Sequence, residues 1–144
     1  EAFEILRDAG DEAAGPAPVL IVTLGPRAEH GARTGWVQNL YASAGLEAKV
    51  LELPTGDDLR RLFEDEDPVL VCVSGADGRY AEELGPGLLA LREHFDQALF
   101  VAGRPGDRED EWRGAGASGF VHVGMDVLEH LESMFDDELE EVQA

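Results

Sequence analysis

The sequence predicts an α/β domain built on a doubly wound sheet of five parallel strands, and three observations carry that prediction. Short apolar runs alternate with longer segments of helical period, three of the runs are almost continuously apolar, and Gly or Pro follows four of them. Continuous apolar runs are what strands covered on both faces require, whereas a half-solvated strand alternates.

Residues 18–24 form the first buried run, and residues 28–44 read as the first helix with Gly45 as its stop. Residues 48–53 alternate apolar and polar, which suits a strand at a sheet edge. Thr55 then offers a cap for a helix over 56–65. Residues 68–73 are the second buried run, and Gly75 separates them from a helix over 78–95. Residues 98–102 are the third, ended by Gly103-Arg104-Pro105-Gly106, after which Asp107 offers a cap for a helix over 107–116. Residues 120–123 alternate again, and Asp126 offers a cap for a last helix reaching about residue 139. Strands that each feed a helix return by right-handed crossovers and pair in parallel. The expected topology is flavodoxin-like, with strand order 2-1-3-4-5. Residues 1–17, helical through Phe3, Ile5, Leu6 and Ala9 and then rich in Gly, Ala and Pro, read as a helix and linker from an upstream domain. The α/β domain is expected over 18–135, and 136–144 as an acidic tail.

The chain of 144 residues carries 31 acidic and 11 basic side chains, a net charge of -20. That length suits one compact core. The charge excludes nucleic acid and anionic membranes, whose affinity comes from Lys and Arg neutralising phosphates. Ten of the basic residues are Arg, with Lys49 the exception, which fits a salt-adapted organism or a high-GC genome. The single cysteine, Cys72, lies inside an apolar run, so it reads as a small core residue in a reduced, cytoplasmic setting. No apolar stretch reaches the ~18 residues of a membrane span.

Ligands of open parallel sheets bind beyond the C-terminal strand ends, at the point where strand order reverses. The loops expected there are residues 25–30, 74–78, 103–106 and 124–126. A phosphate loop is excluded: there is no GxxxxGK(S/T) or GxGxxG, and Pro26 has no N–H to offer. Leu24-Gly25 and Ser74-Gly75 lack the clustered acids that a cation-dependent receiver needs. A flavin phosphate loop would be rich in hydroxyls, and this one has only Thr34, a turn into the helix. His30 offers a metal ligand or a general base, although nothing at ligand spacing supports zinc; its plainer role is a partly exposed helix-start residue. His122 reads as a strand-face residue, and His94 and His130 as helix-surface residues. Arg27, Arg33, Arg79 and Arg104 fall in or beside the loops and could draw a carboxylate, a phosphate or a partner's acidic side chains.

Residues 24–33 (LGPRAEHGAR), 80–83 (YAEE), 101–106 (VAGRPG) and 120–128 (FVHVGMDVL) resemble the C-terminal domain of methylmalonyl-CoA mutase small subunits, a member of the cobalamin-binding fold family. Members of that family that hold cobalamin carry DxHxxG after the first strand: the His is the lower axial cobalt ligand, the Asp orients it, and the Gly makes room for the nucleotide tail. The matching positions here are Ala28, His30 and Arg33. The family's Ser-x-Leu matches Ser74-Gly75-Ala76, and its Gly-Gly matches Ala102-Gly103. The resemblance therefore implies that His30, Ser74, Gly103 and Gly124 would be the contacts if cobalamin bound, with His30 on cobalt. Loss of the Asp and the Gly implies instead a degenerate site and no bound cofactor. It further implies a non-catalytic small subunit in a heterodimer with a large subunit, which carries adenosylcobalamin and isomerises (R)-methylmalonyl-CoA and succinyl-CoA. The alternative it leaves open is a working cobalamin-binding domain.

Overall fold

A computed structural model describes residues 19–125 and 129–130. Its strands are β1 (Val19–Thr23), β2 (Ala48–Glu52), β3 (Leu70–Ser74), β4 (Ala98–Ala102) and β5 (Gly119–Val121). The helices are α1 (Arg27–Ala42), α2 (Gly56–Asp65), α3 (Asp77–Arg92) and α4 (Glu109–Ala115), with a 3-10 turn over Gly106–Arg108 before the last. All strand pairs are parallel and the order is β2-β1-β3-β4-β5, as the sequence predicts.

Two cores explain why the central runs are apolar throughout. Successive side chains of a strand point to opposite faces. Leu20 and Val22 of β1 join Val71 and Val73 of β3 against Leu59 of α2, Leu84, Leu88 and Leu91 of α3, and Trp112 of α4. Val19 and Ile21 join Leu70 and Cys72 on the other face, against Val37, Leu40 and Tyr41 of α1. Every residue of β1 and β3 is buried, whereas β2, at the edge, has a mixed pattern with Lys49, Val50 and Glu52 exposed. Helix α3 tolerates Pro86, which removes one backbone donor, because Leu84, Leu88 and Leu91 around it are fully buried. Among the described residues no helix is long and apolar enough to cross a membrane.

Several local expectations need correction. Thr55 sits at the N-cap of α2 but makes no side-chain cap bond. Asp107 lies inside the 3-10 turn that follows Gly106 (φ +60°), so α4 starts at Glu109 instead. Strand β5 ends at Val121, because the Met125 N–H donates to the His122 carbonyl and closes a turn; His122 is therefore a loop residue. His130 is helical but buried, its ring packed edge-on against Phe100. The helix and linker expected over 1–17, the Asp126 cap and the tail over 136–144 lie outside the described residues.

Candidate functional site at the strand ends

The turn from β1 into α1 is Leu24-Gly25-Pro26. Gly25 is left-handed (φ +80°), and a Cβ there would lie 2.7 Å from the Arg79 Nε. Pro26 is the extended residue just before the helix, so α1 begins at Arg27. His30 is consequently a helix residue one turn in. Helical spacing puts positions 30 and 34 on one face. The His30 Nδ1 lies 2.8 Å from the Thr34 hydroxyl, which lies 2.9 Å from the hydroxyl of Ser74 at the end of β3. All three are buried. His30 is thus an anchored member of a hydroxyl chain, in place of the partly exposed residue expected. Its ring lines a groove of about 430 Å³ beside β2, with Thr23, Arg27, Gln38 and Glu52.

The other side of α1 meets a different crevice. Arg33 and Trp36 line a space of about 540 Å³ over the ends of β4 and β5, with Gly103, Arg104 and His122. The Arg33 Nη1 donates to the Gly75 carbonyl at 2.6 Å and to Asp77 Oδ1 at 3.0 Å. The guanidinium lies over the Tyr80 ring, 5.7 Å from its centroid, and a Cβ at Gly103 would come within 3.2 Å of Nη1. Burial works against the Arg33 charge, yet the Asp77 hydrogen bond and the field of Tyr80 leave its pKa raised. Tyr80 is a second tie: its hydroxyl accepts the Gly75 N–H at 2.9 Å and donates to the Ala102 carbonyl at 2.6 Å, joining the ends of β3 and β4. Burial pushes that hydroxyl above the ordinary tyrosine range.

Of the expected contacts, the structure joins His30 and Ser74 through Thr34, and sets Gly103 against Arg33. Gly124 (φ +93°) lies against Arg104, whose Nη2 donates to the Val123 carbonyl at 2.9 Å. Arg79 straps the N-termini of α3 and α1 together, 2.6 Å from Glu29 and 3.0 Å from Glu83, and holds the Glu29 carboxyl below its usual range. The Glu83 contact was legible as an i,i+4 pair; Tyr80 and the Glu29 contact carried no local signal, because their partners lie elsewhere along the chain. Among the described residues no group of three His, Cys, Asp or Glu could hold a metal ion.

No family model matches the chain. It is 34% identical over 106 residues to the probable methylmalonyl-CoA mutase small subunits of Mycobacterium tuberculosis and Mycobacterium bovis, which covers 70% of this chain and 17% of theirs. It is 32% identical over 143 residues to the methylmalonyl-CoA mutase small subunit of Streptomyces virginiae, covering 94% of this chain and 22% of that one. A solved CheY-like protein from Pseudomonas aeruginosa superposes with a TM-score of 0.62 at 19% identity, over 81% of this chain and 97% of that one, and shares the fold. The chain spans about a fifth of the length of its curated relatives, and over that fifth it belongs with the methylmalonyl-CoA mutase small subunits.

Proposed function

We propose that the chain is a domain of a mutase small subunit that keeps the architecture of a cobalamin-binding domain without holding cobalamin, and that its contribution is structural. The partner on this reading is a large catalytic subunit in a heterodimer, which carries adenosylcobalamin and interconverts (R)-methylmalonyl-CoA and succinyl-CoA; the complex is cytoplasmic.

The observation that carries the reading is Arg33. In the motif to which the sequence resemblance points, this position is a glycine that leaves space for the nucleotide tail. Here its guanidinium lies across the crevice, bonded to Gly75 and Asp77. Two further features agree. Ala28 has no carboxylate with which to orient an imidazole, and the Nδ1 of His30 is engaged by Thr34. The residues present do not fit cobalamin.

Titration of the purified chain with adenosylcobalamin tests this directly. The expected result is no change in the cofactor's absorption spectrum at stoichiometric protein. A stoichiometric shift abolished by His30→Ala would establish the opposite reading, a working cobalamin domain. Coexpression with a candidate large subunit tests the structural role. A stable complex is expected, and separate elution of the two chains would count against it.

A further inference from the structure

The three cavities described differ in sign. Acids outnumber bases 31 to 11 in the chain, and the groove between α2 and α3, about 390 Å³, follows that bias: Glu82, Glu83 and Glu93 line it, and among the described residues no Lys or Arg does. The groove beside β2 sets Arg27 against Glu52. The crevice over the ends of β4 and β5 reverses the bias, because among the described residues Arg33 and Arg104 line it against Asp77.

The reversal is sharper than that count. Asp77 is already bonded to Arg33 and its side chain is largely exposed. Arg104 has a carbonyl as its partner, and among the described residues no carboxylate reaches it, a trait it shares with Arg27, Arg61 and Arg92, whereas Arg33, Arg60, Arg79, Arg108 and Arg113 form ion pairs. A guanidinium carries five N–H donors in a planar fork, so most of the Arg104 donors remain open toward the crevice or solvent.

The backbone beneath keeps that space clear. Gly103 (φ +134°) and Gly124 (φ +93°) adopt conformations that side chains rarely take, and a Cβ at Gly124 would lie 3.3 Å from the Arg104 Nη2. The volume of about 540 Å³ is that of a small-ligand site. Trp36 and His122 add flat rings to walls that also include Val121 and Val123.

We propose that this crevice is a binding site for a phosphoryl-type oxyanion, gripped by the fork of Arg104 with Arg33 as a second positive wall. Forked donors match the tetrahedral oxyanion bidentately, and two arginines favour a dianion over a monoanion. Positions 32 and 36 lie on the face of α1 opposite 30, 34 and 38, and no residue lines both spaces, so the site is separate from the His30 groove and the inference does not rest on the mutase reading.

Calorimetric titration of the full chain at low ionic strength tests it, with inorganic phosphate and pyrophosphate as probes and acetate and malonate as carboxylate counterparts at matched ionic strength. The expected result is saturable binding of pyrophosphate, weakened about tenfold or more by Arg104→Gln. Arg61→Gln, at an exposed arginine of α2 without an ion pair, should leave it unchanged. Circular dichroism of both variants checks that they fold. Carboxylates binding as well as phosphates, equal weakening by Arg61→Gln, or no saturation below about 10 mM would overturn the proposal.

Discussion

Acidification should unfold this domain partly through His130. The ring is buried, its Nε2 is 2.9 Å from the Tyr41 hydroxyl, and Phe100 meets it edge-on at 4.7 Å between centroids. Burial pushes the Tyr41 hydroxyl well above its ordinary range, so it keeps its proton while it shares a hydrogen bond with the imidazole. Burial likewise lowers the His130 pKa from 6.5 to about 4. The folded value is below the unfolded one, so as pH falls the unfolded chain takes up the proton first. The contribution to stability is complete above pH ~6.5 and is lost progressively down to about pH 4. The gap of 2.5 units, 6.5 less 4, corresponds to about 3 kcal/mol in full, of which about 2 kcal/mol is lost by pH 5. The acidic surface also titrates in this range, so the informative quantity is a difference between proteins. Urea unfolding of the parent chain and of His130→Phe at pH 7 and pH 5 should show the parent losing about 2 kcal/mol more than the variant. Equal losses, or a His130 ring titrating at pH 6 or above by NMR, would show that burial does not hold this imidazole neutral.

Thr34→Val conserves shape but strips the oxygen shared by His30 and Ser74. Two buried hydrogen bonds go and polar atoms are orphaned, so urea unfolding should show a loss of about 2–4 kcal/mol, against about 1 kcal/mol for Ser74→Ala, which ends the chain one bond earlier. A loss from Thr34→Val no larger than that from Ser74→Ala would contradict the shared-oxygen geometry. Cys72 is fully buried, and burial pushes its thiol up to about 12. A thiol reagent at pH 8 should therefore label it only as fast as the domain opens, and immediate stoichiometric labelling in native buffer would show the core to be otherwise.

What was legible in the sequence was local. β1, β3 and β4 stand out as apolar runs because both faces of the sheet are covered, and the alternation over β2 marks the edge for the opposite reason. Once each strand feeds a helix, handedness and short loops leave few topologies, and the observed order is the expected one. What was not legible depends on partners far along the chain. His30 carries no mark of burial; its place is decided by Ser74, reached through Thr34 across 40 positions. His130 looks like a surface residue until Tyr41, 89 positions earlier, is placed beside it. Asp107 has the right chemistry for a cap, but the left-handed Gly106 before it turns the backbone into a 3-10 turn instead.

The ties of Arg33 give the crevice a stability of its own. If the glycine that the family motif calls for replaced Arg33, the Gly75 carbonyl would lose a charge-assisted donor that is worth about 1.5–3 kcal/mol. Asp77 would lose its ion pair, and a glycine inside α1 would cost about 1 kcal/mol more. Removing Arg33 would still leave His30 engaged by Thr34. A ligand that displaced Arg33 and drew His30 away from Thr34 would have to offset both losses, the ties of Arg33 and the bond of His30, before gaining any contact of its own. Arg33 and His30, in two of the motif's positions, therefore tie α1 to the end of β3, directly at Gly75 and through Thr34 at Ser74.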